Sequence, residues 1–182
     1  MFVIGKRNPP PSVEPGVRGY LQMSVHMSTG MPVPPGFTYS SAYDFTLDRG
    51  RSFASSPLTA DEDATVRAAM SGQVFEAKGC FYNAHLMVAN DRSGTLVYTE
   101  GFAYNGMATV HHGWVTINGK VVDVTWNGGV FGTLPDGWEY YGVEFPDRDA
   151  LLRRMARTGQ ASSVIIDPEG GHPVMKWPRM SA

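Results

Sequence analysis

A tight turn at Asn118-Gly119 constrains this chain more than any other feature of its sequence. Apolar and β-branched residues flank the dipeptide on both sides, in the segment VHHGWVTINGKVVDVTW (residues 110–126). Asn-Gly is favoured in two-residue type I′ hairpin turns because both positions of that turn need positive φ. The sequence therefore predicts a β-hairpin in which Ile117 lies opposite Lys120.

The register of this hairpin decides which of two adjacent histidines faces an aspartate. Directly opposed residues share one face of a sheet. Four side chains are then predicted to point to the same side: His112, Trp114, Asp123 and Thr125. His112 and Asp123 become diagonal neighbours within side-chain reach, whereas His111 points to the other side, opposite Trp126. A shift of one residue would exchange the two histidines.

The single cysteine of the chain, Cys80, is the candidate nucleophile for a His-Asp pair. It follows Gly79 at the predicted start of a helix, where the positive helix end lowers the pKa of a thiol. The first amides of that helix are candidate donors to an oxyanion, and Gly79 permits close approach of a substrate backbone. The alternative interpretation is that Cys80 is a small buried apolar residue, as unpaired cysteines commonly are.

Helix and strand signals elsewhere predict an α+β fold with an antiparallel sheet. Thr59 and Glu62 form a capping box for a helix over about residues 60–70. A second helix is expected from Cys80, and a third begins after Asp147 and stops at Gly159. Besides the hairpin, strands are expected at 19–27, within 37–47, at 95–104, at 139–145 and at 162–167.

Length and composition favour one catalytic or binding domain over other classes of protein. The 182 residues can bury a core of their own. We interpret residues 1–57 as a Pro/Gly-rich N-terminal extension, packed on the core or acting as a lid, and residues 58–182 as the core. A net charge of -2 with scattered basic residues disfavours nucleic acid as a partner.

Compartment and metal content are also constrained. The chain has no stretch of about 18 apolar residues for a membrane span, and its first residues lack a secretory signal core. One cysteine without a disulfide partner indicates a reducing, cytoplasmic location. The histidines and the cysteine show no metal-ligand spacing, so neither a metal nor a cofactor is expected.

The order of the candidate residues resembles the transglutaminase-like superfamily of papain-like cysteine hydrolases. The motifs that carry the resemblance are KGCFYNA at Cys80, HGW from His112 and VVDVTW at Asp123, within about residues 73–126. Uncharacterised phage and bacterial proteins are similar in the same pattern. Two positions depart from it, Gly113 in place of alanine and Val124 in place of proline, and neither departure removes a reacting group.

This resemblance implies a helix that bears Cys80, packed on an antiparallel sheet that bears His112 and Asp123. It implies that Cys80 is the nucleophile, His112 the general base and acid, and Asp123 the group that orients the imidazole. Such sites form a thioester with a peptide or protein substrate and pass the acyl group to water or to an amine. The implied activity is that of a protease, amidase, deamidase or transglutaminase, without a cofactor.

Five further residues are candidates for substrate binding or for an oxyanion hole: Gln73, Gly79, Asn83, Glu100 and Trp114. Papain-like patterns place a glutamine before the cysteine, and Gln73 is seven positions upstream of Cys80. Glu100 is a candidate to select a cationic group, Asn83 to brace the site, and Trp114 to shield the imidazole. Each also has an ordinary interpretation, as a surface polar residue, a helix-start residue or a core tryptophan.

Two other functions stay open on the sequence alone. The same scaffold would serve a non-catalytic binding protein of phage or bacterial origin that captures a host protein, with the Pro- and aromatic-rich residues 1–57 as its interaction surface. An acyltransferase with an acyl-thioester donor would use the same Cys-His-Asp order. The sequence leaves the oligomeric state and the substrate undetermined.

Overall fold

A five-stranded antiparallel sheet forms the centre of the protein. The computed structural model describes residues 14–30, 32–126, 131–159 and 161–180, and its strands follow the order β1-β5-β2-β3-β4. The strands are Arg51–Phe53 (β1), Val97–Tyr104 (β2), Thr109–Ile117 (β3), Lys120–Val122 (β4) and Glu139–Phe145 (β5). All four strand pairings are antiparallel.

Five α-helices accompany the sheet in the described part of the chain. They are Val17–Met27 (α1), Ala42–Arg49 (α2), Ala60–Met70 (α3), Cys80–Asn90 (α4) and Arg148–Thr158 (α5), and a short 3-10 helix follows at Pro173–Lys176. The predicted α+β class is therefore confirmed. Among the described residues, none of these helices is long and apolar enough to cross a membrane. Residues 1–13 of the predicted N-terminal extension lie outside the described part.

The hairpin between β3 and β4 has the predicted register. Asn118 and Gly119 have φ of 49° and 75°, and Ile117 pairs with Lys120. The ladder ends where Val115 pairs with Val122, so the expected pairing of Asp123 with Trp114 is wrong. Asp123 instead follows directly after β4 and begins a turn.

The cap of α3 is joined to this hairpin. Thr59 and Glu62 form the predicted capping box, with Glu62 Oε2 accepting from Thr59 N at 2.7 Å. The Glu62 carboxylate also accepts from Asn118 Nδ2 at 2.8 Å and from Lys120 Nζ at 2.7 Å. The hydrogen bonds from Asn118 and Lys120 lower the pKa of Glu62 to about 2. One carboxylate therefore fixes both a helix start and the turn that sets the hairpin register.

Two strands expected in the first third of the chain are helices. In α1 the buried Val17 and Leu21 are four residues apart, which is helical spacing, and they pack on Phe102 and Tyr141 of the sheet. In α2 the Ser41 hydroxyl accepts from the Asp44 amide at 3.2 Å and caps the helix. The alternation of apolar and polar residues in 19–27 and the aromatic residues in 37–47 indicate strands. The buried residues of α1 and α2 instead follow the spacing of a helix.

The strand expected at 162–167 is also wrong. This segment is irregular, and the amides of Val164 and Ile165 donate to the carboxylate of Glu100 instead of to a neighbouring strand. A buried side chain on β2 therefore satisfies the backbone groups that a strand would have paired.

Each face of the sheet carries its own apolar cluster. The larger cluster lies between the sheet and the helices and includes Val66, Met87, Tyr98, Val115 and Phe145. The second lies on the opposite face and contains Phe53, Ala103, Trp114, Val121 and Tyr140, with Trp126, Leu134 and Trp138 packed against it. The candidate site lies at the edge of β3, where β4 stops.

Candidate active site

His112 and Asp123 form a buried hydrogen-bonded pair. The distance from His112 Nε2 to Asp123 Oδ2 is 2.7 Å, and each residue is 1% exposed. The prediction that His112 rather than His111 faces Asp123 is confirmed, because the hairpin register is the predicted one. Nε2 is thereby occupied, and Nδ1 is the ring nitrogen left for another partner.

Every acceptor site of Asp123 is used by the protein. Tyr140 donates its hydroxyl to Oδ2 at 2.8 Å, and the amides of Thr125 and Trp126 donate to Oδ1 at 2.9 and 3.2 Å. Burial raises the pKa of the Asp123 carboxyl, but the hydrogen bond and charge of His112 outweigh burial and hold the pKa below its ordinary value. Asp123 is therefore an oriented carboxylate that remains ionised.

Cys80, half-buried, is the first residue of α4 and meets the β3 edge next to His112. Because β4 ends at Val122, the edge of β3 near Gly113 is free to receive the start of a helix. Burial raises the pKa of the Cys80 thiol, but the hydrogen bond and charge of His112 and the amides of Gly113 and Phe81 bring it below its ordinary value. The thiol thus has three groups that favour the thiolate.

A side chain at Gly113 would press on Phe81 of α4. A Cβ on Gly113 would lie 2.8 Å from Phe81 Cδ1 and 3.3 Å from Phe81 Cα. Phe81 therefore fills the space above Gly113 as α4 meets the strand.

The His112 imidazole favours its charged form in this setting. Burial lowers its pKa, whereas the hydrogen bonds to Asp123 and Cys80, together with their charges, raise it, with the net result of about 9. A thiol pKa below its ordinary value beside an imidazole pKa of about 9 favours the thiolate–imidazolium pair over a neutral thiol and a neutral imidazole. That pair is a ready nucleophile next to a ready general acid.

Of the two tryptophans near His112, Trp126 is not where it was expected, and Trp114 fits its interpretation as a core residue. Trp126, half-buried, stacks on the imidazole with ring centroids 3.9 Å apart, so its predicted position opposite His111 is wrong. Trp114 lies farther from the imidazole, at 6.2 Å, and packs edge-on against Phe53 and Tyr140 in the second cluster. Trp126 therefore covers the imidazole, and Trp114 supports it from the core.

Gly79 and Asn83 lie beside Cys80, as predicted. Gly79 is the residue before α4, and a Cβ there would lie 2.8 Å from Glu76 Cβ, so the turn into the helix needs glycine. Asn83, fully buried, bonds to both backbone groups of Glu76 and to Thr125 Oγ1. It thus lies between the cysteine-bearing and aspartate-bearing segments.

The structure does not bring Gln73 to Cys80. Gln73 Nε2 donates to Ser71 O at 3.4 Å, and the side chain borders a surface cavity with Asn90 and Asp91, at the end of α4. Cys80 is at the opposite end of α4, because it is the first residue of this 11-residue helix and Asn90 is the last. The two ends of α4 are about 15 Å apart along the helix axis. The expected glutamine donor to an oxyanion is therefore not in position.

Glu100 lies on the other face of the sheet, with His111. It is fully buried and accepts from Tyr98 Oη at 2.7 Å, from Val164 N at 2.6 Å and from the Ser163 hydroxyl. His111 Nε2 lies 2.9 Å from its Oε1. The expectation that Glu100 lines the site is wrong, because Glu100 holds the segment 163–165 against the sheet.

Sequence reasoning missed three residues of the site: Trp126 as the cover of the imidazole, Tyr140 as a donor to Asp123, and the Gly113 amide. The alternation of side chains along a strand could have indicated Tyr140, because Tyr140 pairs with Ala103 and lies on the same face of the sheet as His112. Trp126 lies in a turn, where strand parity does not apply.

Within the described ranges, no group of three or more His, Cys, Asp and Glu side chains is arranged to hold a metal ion. Comparisons with protein-family models, with curated proteins and with solved structures found no match to this chain.

Proposed function

We propose that this protein is a cysteine-dependent acyl-transfer enzyme in which Cys80 is the nucleophile, His112 the general acid and base, and Asp123 the orienting group. The observation that carries the proposal is the buried His112–Asp123 hydrogen bond of 2.7 Å beside a thiol at a helix start. The three residues come from separate elements. A metal or cofactor has no part in the scheme.

In the first half-reaction the Cys80 thiolate attacks the carbonyl carbon of an amide or ester. The negative charge that develops on the carbonyl oxygen faces the first amides of α4, which no side chain caps. His112 donates its proton to the leaving amine or alcohol as the carbonyl bond to that group breaks. The products of this step are a Cys80 thioester and a neutral imidazole.

In the second half-reaction the neutral His112 takes a proton from water or from an amine. The activated acceptor attacks the thioester carbonyl, and the sulfur leaves as the thiolate. Asp123 holds the imidazole in one orientation and stabilises its positive charge in the first and last states. The released product is an acid when water is the acceptor and an amide when an amine is.

The topology supports the same assignment at the level of fold. A helix that begins with the nucleophile meets an antiparallel sheet, and the base and its carboxylate come from a hairpin of that sheet. We propose that this is a papain-like, transglutaminase-like arrangement. A peptide or protein substrate follows from that proposal, because such sites act on amide groups of side chains or backbone.

Alkylation by iodoacetamide tests the proposal without knowledge of the substrate. At pH 6 an ordinary thiol with a pKa near 8.5 is less than about 1% thiolate, so we expect Cys80 to react at least about tenfold faster than free cysteine. His112→Ala should remove this advantage, and His111→Ala, on the opposite face, should keep it in folded protein. A wild-type thiol that reacts at pH 6 no faster than free cysteine would overturn the proposal.

A further inference from the structure

We propose that the Asn83 carboxamide and the Thr125 hydroxyl form a brace that positions Cys80 against His112, an inference that rests on the proposed function. The brace joins two segments that are far apart in sequence. One is the turn and helix start that carry Cys80, and the other is the turn after β4 that carries Asp123. Asn83 and Thr125 are positioning residues in this proposal and touch no substrate.

The first half of the brace fixes the nucleophile. Asn83 lies one helical turn after Cys80 and is fully buried. Its Oδ1 accepts from Glu76 N at 2.9 Å, and its Nδ2 donates to Glu76 O at 2.8 Å. Both backbone groups of Glu76 are thereby bound to one side chain. The turn between Glu76 and Cys80, with Lys78 at a φ of 66°, is held closed onto the helix that follows.

The second half of the brace fixes the carboxylate. Asn83 Nδ2 also donates to Thr125 Oγ1 at 3.0 Å, and Thr125 N donates to Asp123 Oδ1 at 2.9 Å. Asp123 in turn holds His112, whose imidazole lowers the pKa of the Cys80 thiol. The contacts therefore run from the cysteine-bearing helix through Thr125 and Asp123 to the imidazole that acts on Cys80.

Asparagine is specifically suited to this position. The side chain must accept one hydrogen bond and donate two, and a carboxamide does both with its oxygen and its NH₂ group. Aspartate at position 83 would place an acceptor oxygen next to the Glu76 carbonyl oxygen, which is also an acceptor. Glutamine at this position would be one methylene too long to make the same three contacts. Because the Glu76 amide must meet an acceptor, the orientation of the carboxamide is fixed.

The need for a brace follows from the chemistry of the site. Catalytic groups must be held to within about 0.5 Å, and an error of about 1 Å can slow a reaction by about 100-fold. Cys80 and Asp123 lie 43 residues apart in sequence, and α4 and β4 are different elements. A direct side-chain bridge between their segments sets the separation of sulfur and imidazole more tightly than the apolar core alone, since hydrogen bonds are directional.

Substitution at Thr125 tests the brace with least risk to the fold. Thr125→Val removes the hydroxyl and keeps the side-chain shape, and Thr125→Ser is the conservative variant that restores a hydroxyl. The readouts are the thiolate absorbance of Cys80 against pH, the pH profile of its alkylation by iodoacetamide, and the melting temperature of each variant.

In Thr125→Val we expect the thiolate titration to move toward that of an ordinary thiol and alkylation at pH 6 to slow about tenfold or more. Thr125→Ser should recover most of the wild-type profile. A Thr125→Val variant that melts lower but keeps the wild-type profile would overturn the brace while the proposed function stands. An ordinary titration already in the wild type would instead overturn the proposed function, and the brace with it.

Discussion

The indole of Trp126 lies parallel to the imidazole of His112, with ring centroids 3.9 Å apart and an interplanar angle of 17°. Trp138 packs edge-on against the same indole, with ring centroids 5.6 Å apart. Water is thereby kept from one face of the His112–Asp123 pair. Exclusion of water strengthens the electrostatic coupling between imidazolium and carboxylate.

Trp126→Ala should expose the imidazole of His112 without removing a member of the His112–Asp123 pair. Burial is the largest influence on the pKa of His112 and lowers it, so we expect exposure to raise this pKa from about 9 and to move the alkaline limb of the proposed acyl transfer to higher pH. The measurement is the pH dependence of Cys80 alkylation, or of turnover once a substrate is known. Trp138→Ala is the control, since Trp138 contacts the indole but not the imidazole, and an unshifted alkaline limb in Trp126→Ala would contradict the expectation.

The proposed acyl transfer should have a rate with a bell-shaped dependence on pH. The acid limb reports formation of the Cys80 thiolate, whose pKa is below its ordinary value, so activity is already present below pH 9. The alkaline limb reports loss of the imidazolium proton at about pH 9, because protonated His112 must donate to the leaving group. Asp123→Asn should move the alkaline limb to lower pH, since Asp123 raises the pKa of His112; the same limb at pH 9 in this variant would contradict that cause.

Glu100→Gln should lower stability strongly and affect the thiol little. Glu100 is fully buried, and Tyr98, Ser163 and two backbone amides donate to its carboxylate, so a neutral amide loses charge-assisted hydrogen bonds. Loss of a buried charged partner typically costs about 3–5 kcal/mol. Urea unfolding measures the change, and Cys80 alkylation of the folded variant should stay near the wild-type rate. A Glu100→Gln variant of unchanged stability with an unreactive Cys80 thiol would contradict this expectation and would indicate that Glu100 acts on the site.

Gly142→Ala should destabilise the fold beneath the site. Gly142 pairs with Gly101 in the centre of the sheet, and a Cβ on Gly142 would lie 2.6 Å from Trp114 Cη2. Trp114 is buried and cannot move without displacing Phe53 or Tyr140. We expect a loss of about 1–3 kcal/mol, as for other overpacked cores. The Cβ would also lie 2.7 Å from Glu100 O, which a shift of Trp114 cannot relieve. Thermal unfolding checks the expected loss, and an unchanged melting temperature would contradict it.

Glu62→Gln should loosen both the start of α3 and the hairpin turn. The variant keeps the size of the side chain but loses the charge that meets Lys120 Nζ at 2.7 Å. It also loses one of the two acceptor oxygens, so it cannot accept from both Thr59 N and Asn118 Nδ2. The urea midpoint should fall, with an unchanged slope. Lys120→Met separates the two effects, because it removes the charge partner and leaves the cap; equal losses in both variants would assign the effect to the ion pair.

The hairpin and the helix caps were predictable because their causes are local. Asn118-Gly119 fixes a turn by the conformational preferences of two residues, and the turn fixes the side to which His112 points. Thr59 and Glu62 satisfy each other within one helical turn. Such features need no knowledge of the remaining chain, so the pairing of His112 with Asp123 could be derived from the sequence.

Features that depend on distant partners could not be derived in this way. The segment 162–167 has the apolar, β-branched character of a strand, but Glu100, about 64 residues earlier, takes its amides. Gln73 and Cys80 are close in sequence, yet the start and end of α4 separate them. Trp126 follows the last strand residue of the hairpin, and its place over His112 depends on a turn that Asp123 itself organises.

The early end of β4 at Val122, which leaves the β3 edge open to Cys80, also bears on the acidity of the thiol in the unfolded chain. The amide of Gly113 and the ring of His112 reach Cys80 only when a helix, a strand edge and a turn have come together over more than 40 residues. Until then the thiol has the weak acidity of any cysteine, with a pKa near 8.5. During synthesis Cys80 emerges before His112 and Asp123, so an incomplete chain carries a thiol of ordinary pKa. The pKa of this thiol falls only when the fold is complete.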